Sequence, residues 1–158
     1  MYQKIMVPLD GSELAECVLA HVESIARGSG VESLTFIRVV EPVHIPSTVD
    51  DDGYTFSAKD FQRMEAESKA AAKHYLAGLT GRVEFDGINV TSKVLTGGHA
   101  ADMIAEYATK NGVDLIAIAT HGRSGISRWV LGSVADRVLR SSSVPVLMVR
   151  APGSVSGG

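Results

Sequence analysis

The sequence contains one cysteine, Cys17, and one tryptophan, and aromatic residues make up only 6% of its 158 positions. A lone cysteine excludes an internal disulfide. Cys17 falls among apolar residues at helical spacing, so it is expected as a small core residue without a redox role. The five histidines are scattered and give no metal-ligand spacing, so no metal site is assigned. Basic residues are not in excess: 15 Lys and Arg stand against 18 Asp and Glu, for a net charge of −3. Without a basic stripe, nucleic acid is not an expected partner. No apolar run approaches the roughly 20 residues that a membrane-spanning helix needs. The start, MYQKIMVPLD, enters a strand at once and lacks the apolar region of a signal peptide. The expected location is cytoplasmic, with no membrane partner.

Catalytic signatures are also missing. Ser124 stands in G-R-S-G, with Ile126 where a nucleophile elbow would place its last glycine. No Walker A lysine follows a glycine-rich loop, and no H-E-x-x-H motif occurs. Beyond Asp10 and His121 there is no candidate general base, so the chain is not expected to be an enzyme. A phosphoacceptor receiver domain would need an acid after the third strand and a lysine after the fifth. This chain has Thr96-Gly97 and Arg150 there.

What is present is an alternation of short apolar runs and amphipathic stretches. Lys4–Leu9, Ser33–Val40, Val90–Thr96, Asp114–Thr120 and Val144–Val149 read as strands. Pro8 is unusual in a central strand and suggests that the last rung is leaving the sheet. Between the strands, Ser12 is expected to cap a helix carrying Leu14, Cys17, Val18, Val22 and Ile25, stopped by Gly28-Ser29-Gly30. Ser57 and Asp60 form a capping-box pattern before a helix through Leu79. Ala101–Lys110 is a third helix, and a fourth starts at Gly132-Ser133 with Val134, Val138 and Leu139 expected on its inner face. The pattern predicts one α/β domain over residues 1–150, a doubly wound five-stranded parallel sheet of order 3-2-1-4-5. Residues 151–158 are expected as a flexible tail.

Such sheets bind ligands beyond the carboxyl ends of the strands, where the strand order reverses. Here that point lies between the first and fourth strands. Asp10-Gly11-Ser12 and Thr120-His121-Gly122 should therefore line one crevice. Asp10 can hold a ribose hydroxyl or a base amino group, or close a turn on itself. Gly122 would let a backbone approach a ligand closely, or simply serve a turn. Gly132-Ser133 opens a helix whose N–H groups at Ser133, Val134 and Ala135 favour an anion. Ser133 can instead cap its own helix with Asp136. The loop arginines Arg123 and Arg128 are expected in solvent, and Trp129 in packing.

KIMVPLDGS at the start, FIRVVEP in the second strand, and the run from Ile118 to Arg150 (IATHGRSGISRWVLGSVADRVLRSSSVPVLMVR) together resemble the universal stress protein family. The resemblance covers the chain up to Arg150 and is least close in the long segment after Pro42. It implies the ATP-binding branch, whose pattern is Gly, two residues, Gly, nine residues, Gly, then Ser or Thr. Gly122, Gly132 and Ser133 match, whereas Ala119 replaces the first glycine. By this resemblance, Gly122, Gly132, Ser133 and Val134 meet the ribose and phosphates. Asp10 and His121 lie beside the nucleotide, the Val39 backbone holds adenine, and Pro8 and Leu9 form the wall. The resemblance further implies ATP as ligand, with magnesium arriving alongside it, and at most slow hydrolysis or self-phosphorylation. It implies a homodimer through the last strand and a protein partner of unknown identity. Nucleotide occupancy would then order the segments Val43–Phe56 and Gly122–Leu131. The alternative is the nucleotide-free, dimeric branch, which Ala119 favours.

Overall fold

The computed structural model describes residues 1–43, 57–120 and 132–151. The elements are β1 (Lys4–Pro8), a 3-10 turn (Ala15–Cys17), α1 (Val18–Ser29), β2 (Ser33–Val40) and α2 (Ala58–Arg82). They continue with β3 (Asn89–Thr96), α3 (Ala100–Lys110), β4 (Leu115–Thr120), α4 (Ser133–Ser141) and β5 (Val146–Arg150). All strand pairs are parallel, in the order β3-β2-β1-β4-β5 that the sequence predicts.

Alternation along each strand sends neighbouring side chains to opposite faces. Ile5, Val7, Phe36 and Ala117 meet Val22 of α1 and Leu76 and Leu79 of α2 in one cluster. Met6, Ile37, Ile116 and Ile118 meet Ile104 and Ala108 of α3 and Val138 of α4 in the other. β4, covered on both sides, is buried at every position. α2 opens with the expected capping box: Ser57 Oγ accepts the Asp60 N–H (3.3 Å), and Asp60 Oδ2 accepts the Ser57 N–H (2.8 Å). Gly30 ends α1 in the left-handed region, at φ 64°.

Several local expectations are corrected. The first helix does not start at Ser12. Gly11 takes φ +86°, and Asp10 Oδ1 accepts both the Ser12 N–H (2.9 Å) and its hydroxyl (2.6 Å), so the chain is still turning there. Ser12 then accepts the Ala15 N–H at both its Oγ and its C=O (3.2 Å each), and a 3-10 turn follows. That tighter turn shifts the phase of the apolar stripe. Leu14 is left exposed and Cys17 half-buried against the first cluster, where burial pushes its thiol pKa up. In α4 the buried pair is Ala135 and Val138, three residues apart, whereas Val134 and Leu139 are exposed to either side of that face. β5 begins at Val146 and not at Val144. Pro145 has no N–H, and only its C=O joins the ladder, accepting the Ile116 N–H (2.9 Å). Ala151 is not part of a tail: it is buried, and its N–H donates to the Thr120 C=O (3.3 Å). Residues 44–56, 121–131 and 152–158, including Arg123, Arg128 and Trp129, lie outside the described residues. Among the described residues no helix is long and apolar enough to cross a membrane.

Candidate functional site

The site begins as a split in the sheet. β1 pairs with β2 along its whole length, but with β4 only at Ile5–Leu115 and Met6–Ile116. β4 runs on to Thr120 beside β5. The two central strands therefore part after Met6 and Ile116, at the point where strand order reverses. Pro8 suits this split. The Leu9 N–H donates to the Ile37 C=O (2.8 Å), so alternation turns the Pro8 nitrogen toward β4. A proline has no N–H to offer there, and β4 is not paired at that rung. Pro8 is still inside β1, paired to Ile37, so the strand has left one neighbour and kept the other.

A cavity of about 550 Å³ fills the cleft. That lies within the range of small-molecule sites, roughly 300–1,000 Å³. Eight of the ten sequence-predicted site residues line it: Pro8, Leu9 and Asp10 after β1, Val39 in β2, Ala119 in β4, and Gly132, Ser133 and Val134 at α4. His121 and Gly122 lie outside the described residues.

Each wall has a distinct chemistry. Asp10 supplies a carboxylate whose Oδ1 is oriented by Ser12. The turn reading and the ligand reading of Asp10 are thus compatible, since the turn aims the group. Ile37 turns its C=O to β1, so alternation turns the Val39 N–H and C=O the same way, beyond the end of β1 at Pro8. Gly132 is the N-cap of α4, at φ −52° and ψ 135°. Any residue adopts that conformation, so the backbone itself does not call for glycine. The alternative, in which Ser133 caps the helix with Asp136, does not hold, because Gly132 takes the N-cap. Among the described residues no side chain caps α4, and Asp136 pairs instead with Arg140 (3.0 Å). The first intrahelical bond is from the Asp136 N–H to the Gly132 C=O (2.9 Å), which leaves the preceding N–H groups at the cavity. Ala119 is 7% exposed and packs in the cluster that holds Leu9, Ala15 and Val149.

Sequence reasoning missed Ala15, Ile37, Ala100, Ile104 and Ile118, and for Ala135 it gave only the backbone N–H; together these form the apolar remainder of the lining. Ile37 was recoverable, because it shares Val39's face two residues earlier. Ala100 and Ile104 were recoverable as an i, i+4 pair on a helix that must cross over β1 and β2 to reach β4. Ala100 is fixed where it stands by its N–H, which donates to Glu41 Oε1 (2.6 Å). Among the described residues no cluster of His, Cys, Asp or Glu could hold a metal ion.

A family model for the universal stress protein family matches residues 1–150. Universal stress protein MJ0531 of Methanocaldococcus jannaschii is 29% identical over 154 residues, covering 96% of this chain and 84% of the relative. Universal stress protein MJ0577 of the same organism is 28% identical over 161 residues, covering 98% of each. The solved structure of MJ0577 superposes with a TM-score of 0.76 at 26% identity, over 98% of this chain and 99% of that one. A family protein from Arabidopsis thaliana, solved with AMP bound, shares the fold at 17% identity, with a TM-score of 0.63 over 99% of this chain and 96% of that one. With the family model matched across nearly its whole length, the chain belongs to the universal stress protein family.

Proposed function

We propose that this protein binds an adenine nucleotide, ATP with magnesium alongside, in the β1/β4 cavity, and works as a nucleotide-dependent module without fast catalysis. The observation that carries the proposal is the convergence of eight predicted residues from four separate segments on one cavity. Its lining is of two kinds, as a nucleotide would require. The apolar part, with Ile37, Ala100 and Ile104, suits a base, and the Val39 backbone offers it a donor and an acceptor. The start of α4 offers N–H groups and the Ser133 hydroxyl to phosphates. Asp10, in the same lining, offers a carboxylate to the sugar. Gly132, which its backbone conformation does not explain, leaves room for close approach of a phosphate. AMP bound to the Arabidopsis protein indicates that the fold can host such a ligand.

The proposal includes a homodimer formed through β5. This strand is the sheet edge, with Val146, Leu147 and Met148 half-buried, and pairing across a two-fold would satisfy its backbone. Nucleotide occupancy would then change which protein partner the dimer accepts, in the cytoplasm.

The test is calorimetric titration of ATP with magnesium into nucleotide-stripped protein, beside Gly132→Ala. The substitution suits the local backbone, so weakened binding reports on the ligand and not on strain. Saturable binding that Gly132→Ala weakens is expected. No heat at millimolar ATP would overturn the proposal and leave the nucleotide-free branch.

A further inference from the structure

Arg38 is anomalous. Its Nε and Nη1 are buried and bond to nothing among the described residues. Buried donors without partners are rare, and each asks for an explanation. The guanidinium lies over the Tyr75 ring, 5.7 Å from its centroid. It also lies so close to Gly11 that a Cβ there would collide with Nη1. Tyr75 is itself pinned. Its hydroxyl donates to Glu16 Oε1 (2.9 Å), and Glu16 also accepts from Arg82 Nη2 (2.6 Å). Burial and the bond to Glu16 hold the Tyr75 pKa well above its ordinary value, and the charge of Asp10 adds to that shift. Asp10 therefore lies within electrostatic reach of the stack.

Arg38 sits between Ile37 and Val39 in β2, both of which line the cavity, and alternation puts Arg38 on the opposite face. It is not among the residues that line the cavity. It does touch the turn that carries Asp10, which does line the cavity. We propose that Arg38 is a positioning residue. Packed against both Tyr75 and Gly11, it fixes the Asp10-Gly11-Ser12 turn so that Asp10 reads a ribose hydroxyl, and the site prefers ribonucleotides to deoxyribonucleotides. The inference rests on the nucleotide proposal above. The unpaired donors fit this role: the guanidinium is held by shape and stacking, and its charge lies beneath a turn bearing a carboxylate.

The test compares ATP with 2′-deoxy-ATP and 3′-deoxy-ATP on wild type, Arg38→Met and Arg38→Lys. Wild type should prefer ATP over at least one deoxy form by roughly tenfold or more, the worth of one hydrogen bond to a charged group. Arg38→Met keeps the length and loses the charge. It should weaken ATP until that ratio falls to about twofold or less, leaving the disfavoured deoxy form little changed. Arg38→Lys should recover part of the ratio. A merely structural role would weaken all three nucleotides alike, and that result, or a wild type with no preference, overturns the inference while nucleotide binding stands. A wild type that binds no ATP overturns both. The clamp is checked without nucleotide by thermal unfolding of Gly11→Ala in two backgrounds. It should cost more in wild type than in Arg38→Ala, and equal costs would remove the contact on which the inference stands.

Discussion

Ala119→Gly restores the glycine of the ATP-binding pattern and asks whether the methyl group obstructs the cavity. In the structure the residue lines the cavity yet is only 7% exposed, and it packs with Leu9, Ala15 and Val149, so most of its methyl is already buried. Removing a buried methyl costs about 0.8 kcal/mol, and glycine in a strand adds roughly 0.5–1 kcal/mol of backbone entropy. The expected destabilisation is about 1.5 kcal/mol, which lowers Tm by roughly 3–6 °C for a chain of this size. Nucleotide affinity should stay within about twofold, because the cavity gains little space. Thermal unfolding and titration of the same samples measure both quantities. A variant that binds ATP tenfold more tightly with unchanged Tm would refute the reasoning and show that Ala119 stands in the ligand's way.

Glu16→Ala should cost more than Arg82→Ala. It strands the half-buried Tyr75 hydroxyl as well as breaking the ion pair, whereas Arg82 is 56% exposed and re-solvates. Denaturant unfolding should give about 2 kcal/mol for Glu16→Ala and a clearly smaller loss for Arg82→Ala, and equal costs would contradict the network. Asp60 should titrate below its ordinary value, because the Ser57 hydroxyl and N–H both donate to its carboxylate. Its folded pKa is depressed, so its support of the α2 N-terminus is complete above the unfolded value and lost as pH falls through the folded one. Carboxyl NMR titration, with amide exchange at residues 58–61, would show fraying only in that acid window. Asp60→Asn should exchange faster at neutral pH.

Much of this was legible in the sequence because it rests on local chemistry. The all-apolar run in β4 encodes a strand covered on both faces, Ser57 and Asp60 encode their capping box, and Gly30 encodes the end of α1. The cavity was legible because fold topology places the ends of β1 and β4 together, whatever their side chains. What was not legible depends on phase and on distant packing. The 3-10 turn that exposes Leu14 follows from the Asp10–Ser12 bonds, which no periodicity reveals. Val134 and Leu139 look like core residues by hydrophobicity, but the burial of Ala135 and Val138 fixes the inner face of α4. The clamp on Arg38 joins residues from β2, α2 and the β1 turn, so sequence spacing carries no trace of it.

The central claim is that nucleotide occupies the β1/β4 cavity, and ligand-dependent stability tests it most directly. Ala100 is half-buried, lines the cavity and belongs to neither core cluster, so Ala100→Phe should fill part of it with little loss of stability. At ATP about 100-fold above Kd, linkage predicts about 2.7 kcal/mol of stabilisation, or a rise in wild-type Tm of roughly 5–11 °C. Ala100→Phe should unfold near the wild-type apo temperature and show no rise with ATP. A wild type that does not respond to millimolar ATP, or an Ala100→Phe protein that responds equally, would contradict the account.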